Sequence, residues 1–180
     1  MDKQQLRKNM LLKRKAMSKK EVEEKSRIIC EKICGHPFYL QAENLCLYMP
    51  VNNEVDVTGL LTKAAAQGKK IWLPRVLGKD MEFFAYTGNR DLVNGAFNIM
   101  EPSSSLRLEP DEDTCMIVPG SVFSSDGKRA GYGGGFYDRY LAEYTQIKTI
   151  GVCYAFQVEE NLEILPHDIL MQAVITEKGL

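Results

Sequence analysis

The segments "NLCLYM" (residues 44–49), "VTGLLTKAAAQ" (57–67) and "KIWLPRV" (70–76) decide the fold of this chain. The first and third are short apolar runs, which are typical of buried β-strands. The second has helical spacing of its apolar residues and ends at Gly68. A strand, a helix and a second strand in this order predict a βαβ unit, in which the two strands are parallel.

The same alternation continues to the end of the chain. A helix is predicted from about Phe136 to Tyr144, and further strands are predicted at "MEFFAY" (81–86), "TCMIVP" (114–119), "IKTIGVCYAF" (147–156) and "QAVIT" (172–176). We expect "MEFFAY" to run antiparallel to its neighbours. The prediction is therefore an α/β fold: a Rossmann-like, three-layer α/β/α sandwich with a mostly parallel, mixed sheet. In such folds ligands bind beyond the carboxyl ends of the strands.

Two helices precede the first strand. One is predicted from Lys3 to Met17, with Leu6 and Met10 on its apolar side. The second begins with a Ser-x-x-Glu capping box at Ser18 and ends by Gly35. The loop-rich stretch 87–113 is predicted to contain no regular element.

Composition limits the class of protein. A chain of 180 residues that is 44% hydrophobic can bury one good core, so we expect a single domain over residues 1–180. The net charge of −1 argues against general binding to nucleic acid or membranes. The cysteine count of five is odd, and no apolar run approaches the length of a membrane span or a signal core. We therefore expect a cytoplasmic monomer without nucleic-acid or membrane partners.

The segment "RAGYGGGFYDRYL" (129–141) has four glycines in five positions directly before a predicted helix. Glycines let backbone N–H groups converge on an anion, and a helix N-terminus adds partial positive charge. Arg129 could bind the same phosphates, and Asp138 could hold the divalent cation that phosphates bring. A plain flexible turn is the competing interpretation, but each glycine costs about 0.5–1 kcal/mol relative to alanine. The segment therefore favours phosphate binding.

Known nucleotide motifs do not fit this segment. Phe136 stands where a Gly-x-Gly-x-x-Gly fingerprint needs its last glycine, and no Gly-Lys pair is followed by Ser or Thr as in Walker A. An RNA-binding RNP1 pattern fails after Phe136 as well. Three alternatives stay open: another ATP- or phosphate-dependent small-molecule enzyme, a non-enzymatic RNA-binding module, and, more weakly, a zinc module at Cys30, Cys34 and His36.

The stretch "VPGSVFSSDGKRAGYGGGFYDRYL" (118–141) resembles the signature of the 5-formyltetrahydrofolate cyclo-ligase family. The segments "KQQLRKNMLLKRKAMS", "YMPVNNEVDV", "PRV", "FNIMEP" and "LPHDILMQAVIT" are similar to other family segments and occur in the family's order. The resemblance implies an enzyme that uses MgATP to convert 5-formyltetrahydrofolate into 5,10-methenyltetrahydrofolate, with release of ADP and phosphate. Mg²⁺ is the implied cofactor.

The resemblance also implies a set of site residues. Arg129 and Tyr137 would be catalytic, and Asp138 and Asp168 would bind the metal. ATP would be held by Lys3, Arg7, Arg129, Ala130, Gly131, Tyr132, Gly133, Gly134, Gly135, Phe136 and Tyr137. The folate substrate would contact Met49, Glu54, Tyr132, Gly133, Gly134, Gly135 and Phe136.

Several other residues receive an ordinary structural interpretation. Lys13, Arg14 and Lys15 are expected to form a solvated basic face. Trp72 is expected in the core and His167 at the surface or in a structural role. Ala130, Phe136 and Gln172 differ from the residues usual in the family, and we do not assign Gln172 to the metal.

Overall fold

The computed structural model describes residues 2–179, so Met1 and Leu180 of the predicted domain lie outside the described residues. Five helices are present in this range: α1 (Lys3–Lys15), α2 (Lys19–Gly35), α3 (Pro37–Gln41), α4 (Gly59–Ala66) and α5 (Phe136–Glu143). The strands are β1 (Asn44–Cys46), β2 (Lys70–Leu77), β3 (Asp80–Ala85), β4 (Leu92–Asn94), β5 (Met100–Pro102), β6 (Thr114–Val118), β7 (Val122–Phe123), β8 (Arg129–Ala130), β9 (Lys148–Val152) and β10 (Ala173–Ile175). No helix among these is both long and apolar enough to cross a membrane.

Six strands form the main sheet in the order β10-β9-β6-β1-β2-β3. Every neighbouring pair is parallel except β2 and β3, which form an antiparallel hairpin. The mixed, mostly parallel sheet is therefore confirmed, and so is the antiparallel direction of "MEFFAY".

Alternating side chains of the strands fill two cores, one on each face of the sheet. Leu45 and Leu47 pack on the face covered by α2 and α4, whereas Cys46 between them points to the face covered by α5. In β6, Ile117 and Met116 divide between the two faces in the same way. Because a strand alternates its side chains, a sheet that is apolar on both faces needs a helical layer on each side. This arrangement is the predicted three-layer sandwich.

Strand order reverses beside β1. The chain passes from β1 through α4 to β2 on one side, but from β6 through α5 to β9 on the other. The crevice beyond the carboxyl ends of β1 and β6 is therefore the topological switch point, where ligands bind in open α/β sheets. The segments that follow these two strands carry most of the predicted site residues.

The path into the glycine segment is indirect. The small antiparallel hairpin β7–β8 lies between β6 of the main sheet and the glycines. Ala130 in this hairpin packs with Leu6 and Met10 of α1, so the hairpin anchors the amino-terminal helix. A small residue at position 130 leaves room for that helix.

The loop-rich stretch 87–113 also differs from expectation, because it contains the hairpin β4–β5. The capping box of α2 is confirmed: the Ser18 side chain accepts from the Glu21 N–H, and the Glu21 carboxylate accepts from the Ser18 N–H.

Candidate active site

The glycine loop, residues 131–135, connects β8 to the first turn of α5. Gly133 and Gly135 have φ values of +104° and +68°, which side-chain-bearing residues rarely adopt. Gly135 is the N-cap of α5, and no side chain of residues 2–179 caps the first N–H groups of this helix. Residues 132–134 are exposed, and their N–H groups have no acceptor within the described part of the chain. The loop therefore presents main-chain donors and a helix N-terminus to solvent, as an anion site requires.

Two basic residues of α1 contact predicted site residues, Arg7 at the glycine loop and Lys3 at Asp168. The Nε atom of Arg7 donates to the Gly131 carbonyl at 2.7 Å. Lys3, one helical turn earlier, places its Nζ 2.6 Å from Oδ2 of Asp168. Of the predicted basic pair, Arg7 therefore lies at the start of the glycine loop, and Lys3 lies beside a predicted metal ligand.

Arg129 lies beneath the loop and is only 4% exposed. Its Nη1 donates to the Pro119 carbonyl at 3.0 Å, and its Nη2 lies 3.4 Å from Oδ2 of Asp138. The Nε atom is buried and has no hydrogen-bond partner among the described residues. The guanidinium carbon also lies 5.4 Å from the centre of the Tyr137 ring. Arg129 is therefore a buried cation, placed between the end of β6 and α5, whose Nε has no partner among the described residues.

Asp138 and Asp168 lie in adjoining segments. Oδ1 of Asp138 accepts from the N–H of Ile169 at 2.9 Å, which ties α5 to the chain that carries Asp168. Oδ2 of Asp168 accepts from the N–H of Leu165 at 2.8 Å as well as from Lys3. Burial raises the pKa of Asp168, but hydrogen bonds from Lys3 and Leu165 outweigh burial and lower the pKa overall. This carboxylate is ionised at neutral pH.

Glu54 lies in the loop after β1 and is only 5% exposed. Its Oε1 accepts from the hydroxyl of Tyr132 at 2.5 Å, and its Oε2 accepts from the N–H of Val51 at 2.9 Å. Burial raises the pKa of Glu54, whereas hydrogen bonds from Tyr132 and Val51 and the charge of Arg14 oppose that rise. The predicted folate-binding acid is thus directly linked to the predicted nucleotide loop.

Tyr132 bridges the segments that follow β1 and β6, because its hydroxyl contacts Glu54 and the Gly120 carbonyl. Its side chain is 54% exposed, yet its hydroxyl points inward and also lies 3.2 Å from the Gly120 carbonyl. Burial of the hydroxyl, and next the nearby Glu54 carboxylate, raise the pKa of Tyr132. Burial and Glu54 also raise the pKa of Tyr137, the other predicted site tyrosine. Both hydroxyls are protonated at neutral pH and can act as donors.

The other predicted residues border this region to different degrees. Phe136 begins α5, and its ring packs edge-on against Phe97 at 6.2 Å between ring centres. Met49 follows β1 and packs, half-buried, against the core on the α2 and α4 face. Trp72 is in the core as expected and donates from Nε1 to Oδ1 of Asn44 at 2.9 Å. Gln172 accepts from the N–H of Thr149 at 3.0 Å, which is a structural role.

Arg14 is the residue whose interpretation was wrong. It is 2% exposed rather than solvated, whereas its neighbours Lys13 and Lys15 are exposed. Its Nη1 donates to the Tyr132 hydroxyl at 2.6 Å, and its Nε donates to the Asn52 carbonyl at 3.1 Å. Helical periodicity could have indicated that Arg14 is buried. Arg14 stands four residues after Met10 and seven after Arg7, on the side of α1 that packs inward.

Two hollows lie away from this region. One of about 370 Å³ lies between α2 and α4 and is lined in part by Cys30 and Cys34; another of about 460 Å³ borders β10 and His36. The Cys30 thiol donates to the Asp56 carbonyl at 3.5 Å, and His36 Nδ1 accepts from the N–H of Phe38. The residues of the zinc hypothesis therefore have structural partners. The candidate site is instead the region beyond the carboxyl ends of β1 and β6, where Tyr132 contacts Glu54 and the Gly120 carbonyl.

Comparisons with known proteins identify the family of this chain. The model of the 5-formyltetrahydrofolate cyclo-ligase family matches residues 1–177. The 5-formyltetrahydrofolate cyclo-ligase of Escherichia coli K12 is 28% identical over 171 residues, which are 91% of this chain and 94% of that protein. The NMR structure of Aquifex aeolicus 5,10-methenyltetrahydrofolate synthetase superposes with a TM-score of 0.88 at 34% identity, covering 99% of this chain and 91% of that one.

A second solved structure gives the same result. The 5,10-methenyltetrahydrofolate synthetase of Mycoplasma pneumoniae has a TM-score of 0.80 at 28% identity, covering 98% of this chain and 99% of that one. Sequence and fold thus agree over nearly the whole chain. The chain belongs to the 5-formyltetrahydrofolate cyclo-ligase family.

Proposed function

We infer that this chain is an ATP-dependent ligase that cyclises 5-formyltetrahydrofolate to 5,10-methenyltetrahydrofolate, with release of ADP and phosphate. The observation that carries this conclusion is the meeting of two sites at the switch point. An anion-binding loop after β8 touches, through Tyr132, the buried acid Glu54 after β1. A reaction between a triphosphate and a pterin needs these two sites next to each other.

The chemistry explains the need for ATP. A formamide carbon is a poor electrophile, and its oxygen is a poor leaving group. The formyl oxygen therefore attacks the γ-phosphorus, and the bond from that phosphorus to the β,γ-bridging oxygen breaks to release ADP. N10 of the folate then attacks the activated formyl carbon and loses its proton, and the carbon–oxygen bond breaks to release phosphate. The protein's task is alignment of the substrates and neutralisation of charge during phosphoryl transfer.

On the nucleotide side, main-chain N–H groups of the glycine loop and of the first turn of α5 bind the phosphates. Lys3 and Arg7 add positive charge from α1, where both are partly exposed. Arg129 is more deeply buried and supplies its positive charge from beneath the loop. Its guanidinium also stabilises the negative charge of Asp138 beside the phosphates.

On the folate side, Glu54 accepts hydrogen bonds from N–H groups of the pterin ring. Tyr132 and Phe136 contribute aromatic surface between the two substrates, and Met49 lines the apolar part of the pocket. Tyr137 stands beside Arg129, and its protonated hydroxyl donates to a transferring phosphoryl oxygen.

Asp138 and Asp168 are suited to Mg²⁺. Their donor set is two carboxylates in adjoining segments, and the described residues include no cluster of three or more acidic, histidine or cysteine side chains that would form a complete cage. Mg²⁺ prefers one or two carboxylates together with phosphate oxygens and water. When bound, the ion neutralises charge on the ATP phosphates. Lys3 and Arg129 balance these two carboxylates in its absence.

The same proposal covers the setting of the enzyme. We place it in the cytoplasm as a monomer formed by one domain, acting on small molecules without nucleic-acid or membrane partners. All five cysteines are free thiols, which suits a reducing compartment. Light scattering during chromatography tests the monomer: a mass near 20.4 kDa agrees with it, and about twice that mass contradicts it.

The experiment that tests the function is incubation of pure protein with 5-formyltetrahydrofolate and MgATP while the ultraviolet spectrum is recorded. We expect absorbance of the methenyl product to grow with one ADP released per product, and no growth without ATP. ADP release that does not depend on folate would favour the other ATP-dependent enzymes. Asp138→Asn is expected to lose turnover while retaining its circular dichroism spectrum, and full turnover by this variant would contradict the magnesium assignment.

A further inference from the structure

We propose that Arg14 is a positioning residue that acts through Tyr132 on Glu54, and that it sets the affinity for the folate substrate rather than the rate of phosphoryl transfer. The inference rests on the proposed function, because it assigns the pterin to Glu54. Three observations support it: a continuous chain of hydrogen bonds, a second set of contacts to the loop that carries Glu54, and the charge balance around that acid.

The hydrogen bonds run from α1 to β1 through the glycine loop. Nη1 of Arg14 donates to the Tyr132 hydroxyl at 2.6 Å, and this hydroxyl donates to Oε1 of Glu54 at 2.5 Å. The Arg14 guanidinium also lies 5.5 Å from the centre of the Tyr132 ring. Two acceptors lie near the single proton of this hydroxyl, and the charged Oε1 of Glu54 at 2.5 Å is favoured over the Gly120 carbonyl at 3.2 Å. Arg14 donates to the oxygen of the same hydroxyl and so holds Tyr132 in position to donate to Glu54.

Arg14 and its helix also hold the loop between β1 and α4. Nε of Arg14 donates to the Asn52 carbonyl, and Nδ2 of Asn53 donates to the Arg14 carbonyl at 2.9 Å. Asn52 and Asn53 have φ values of +50° and +57°, a conformation that needs support from its surroundings. Glu54 follows directly in sequence. The end of α1 thus orients the backbone that presents Glu54 as well as its hydrogen-bond donor.

Charge gives the third observation. Burial raises the pKa of Glu54, and the Tyr132 hydroxyl, the Val51 N–H and the positive charge of Arg14 lower it. Tyr48 and Tyr137 also face this carboxylate, and both are neutral at physiological pH. Loss of Arg14 therefore leaves burial less opposed, so a larger share of Glu54 is protonated near neutral pH. A protonated acid is a poorer acceptor for pterin N–H groups.

The test compares Arg14→Gln with Lys13→Gln, which removes an exposed neighbouring charge from the same helix. We expect Arg14→Gln to raise the KM for 5-formyltetrahydrofolate about tenfold or more, while kcat and the KM for ATP change less than about twofold. As pH falls, the loss of folate affinity should begin at a higher pH in Arg14→Gln than in the wild type. Lys13→Gln should match the wild type in both respects.

Two further variants protect the test against a failure to fold. Arg14→Lys keeps a cation at the buried position but cannot reach two acceptors as a planar fork does, so we expect an intermediate KM for folate. Tyr132→Phe removes the connecting hydroxyl, and Arg14→Gln added to it should raise the KM by much less than it does alone.

The outcomes separate this inference from the proposed function. A wild-type protein that makes no methenyl product contradicts the function itself. The inference alone is overturned if the wild type turns over normally and both Arg14 variants keep the wild-type KM for folate. It is also overturned if both variants keep the wild-type pH profile. A loss of kcat at unchanged KM overturns it too, because Arg14 would then act on the phosphoryl-transfer step.

Discussion

Gly133→Ala separates the conformation of the glycine loop from its packing. A β-carbon at this position would meet no heavy atom within 4 Å, so the substitution causes no collision. It does place a side chain at a φ of +104°, and such a backbone conformation costs about 1–3 kcal/mol in residues other than glycine. Residue 133 is exposed and lies between two other exposed residues, so the loop can relax to relieve this strain. Relaxation moves the N–H groups that bind the phosphates.

If nucleotide binding is weakened by the full strain energy of about 1–3 kcal/mol, the KM for ATP rises about 5- to 150-fold. The assay is methenyl-product absorbance at varied ATP, alongside thermal unfolding. Gly35→Ala is the matched control, because its β-carbon also meets nothing within 4 Å and its φ is not positive. An unchanged KM for ATP together with a melting temperature lower by about 2–4 °C per kcal/mol would refute the reasoning. Strain would then be held by the fold and not by the phosphate site.

Three other changes test separate parts of the account. Glu54→Gln removes the anionic acceptor and should raise the folate KM about tenfold or more while the ATP KM stays within about twofold, as steady-state kinetics would measure. Lys3→Met should reduce the free energy of unfolding at neutral pH, because it removes the partner of Asp168. The pKa of Asp168 is lowered, so the difference in unfolding free energy from the wild type should persist above about pH 4 and vanish as pH falls through that pKa. A difference that stays constant with pH would contradict the pairing. Gly127→Ala would place a β-carbon 2.2 Å from the Met171 carbonyl oxygen at a φ of +93°, so urea unfolding should show a loss of more than about 3 kcal/mol, and a loss below about 1 kcal/mol would contradict this.

Strand and helix positions in the sandwich could be predicted because local pattern and burial agree there. Leu45 and Cys46 alternate between two covered faces, and α4 shows one apolar side, so period and context give the same answer. The hairpins β4–β5 and β7–β8 could not be predicted, because their short strands lie among Gly, Asn, Pro and Ser and lack the longer apolar runs that mark the equally short β1 and β10. Their pairing depends on tertiary contacts.

In the candidate site, too, some features could be predicted from local sequence and others could not. The four glycines before Phe136 indicate an anion-binding loop without knowledge of the fold, because glycine sets the backbone conformation locally. The burial of Arg14 is a different case, because a basic residue in a basic helix carries no local sign of the tyrosine that it contacts 118 positions away in sequence, or of the acid that this tyrosine contacts in turn. Such contacts arise only when α1 docks on the β7–β8 hairpin.

The most direct test of the central claim is a crystal structure with a non-hydrolysable ATP analogue and magnesium. The account predicts phosphate oxygens within about 3.2 Å of main-chain nitrogens between Gly131 and Tyr137, beside Lys3 and Arg7. Phosphates bound at another surface, with the 131–137 nitrogens facing only solvent, would contradict it.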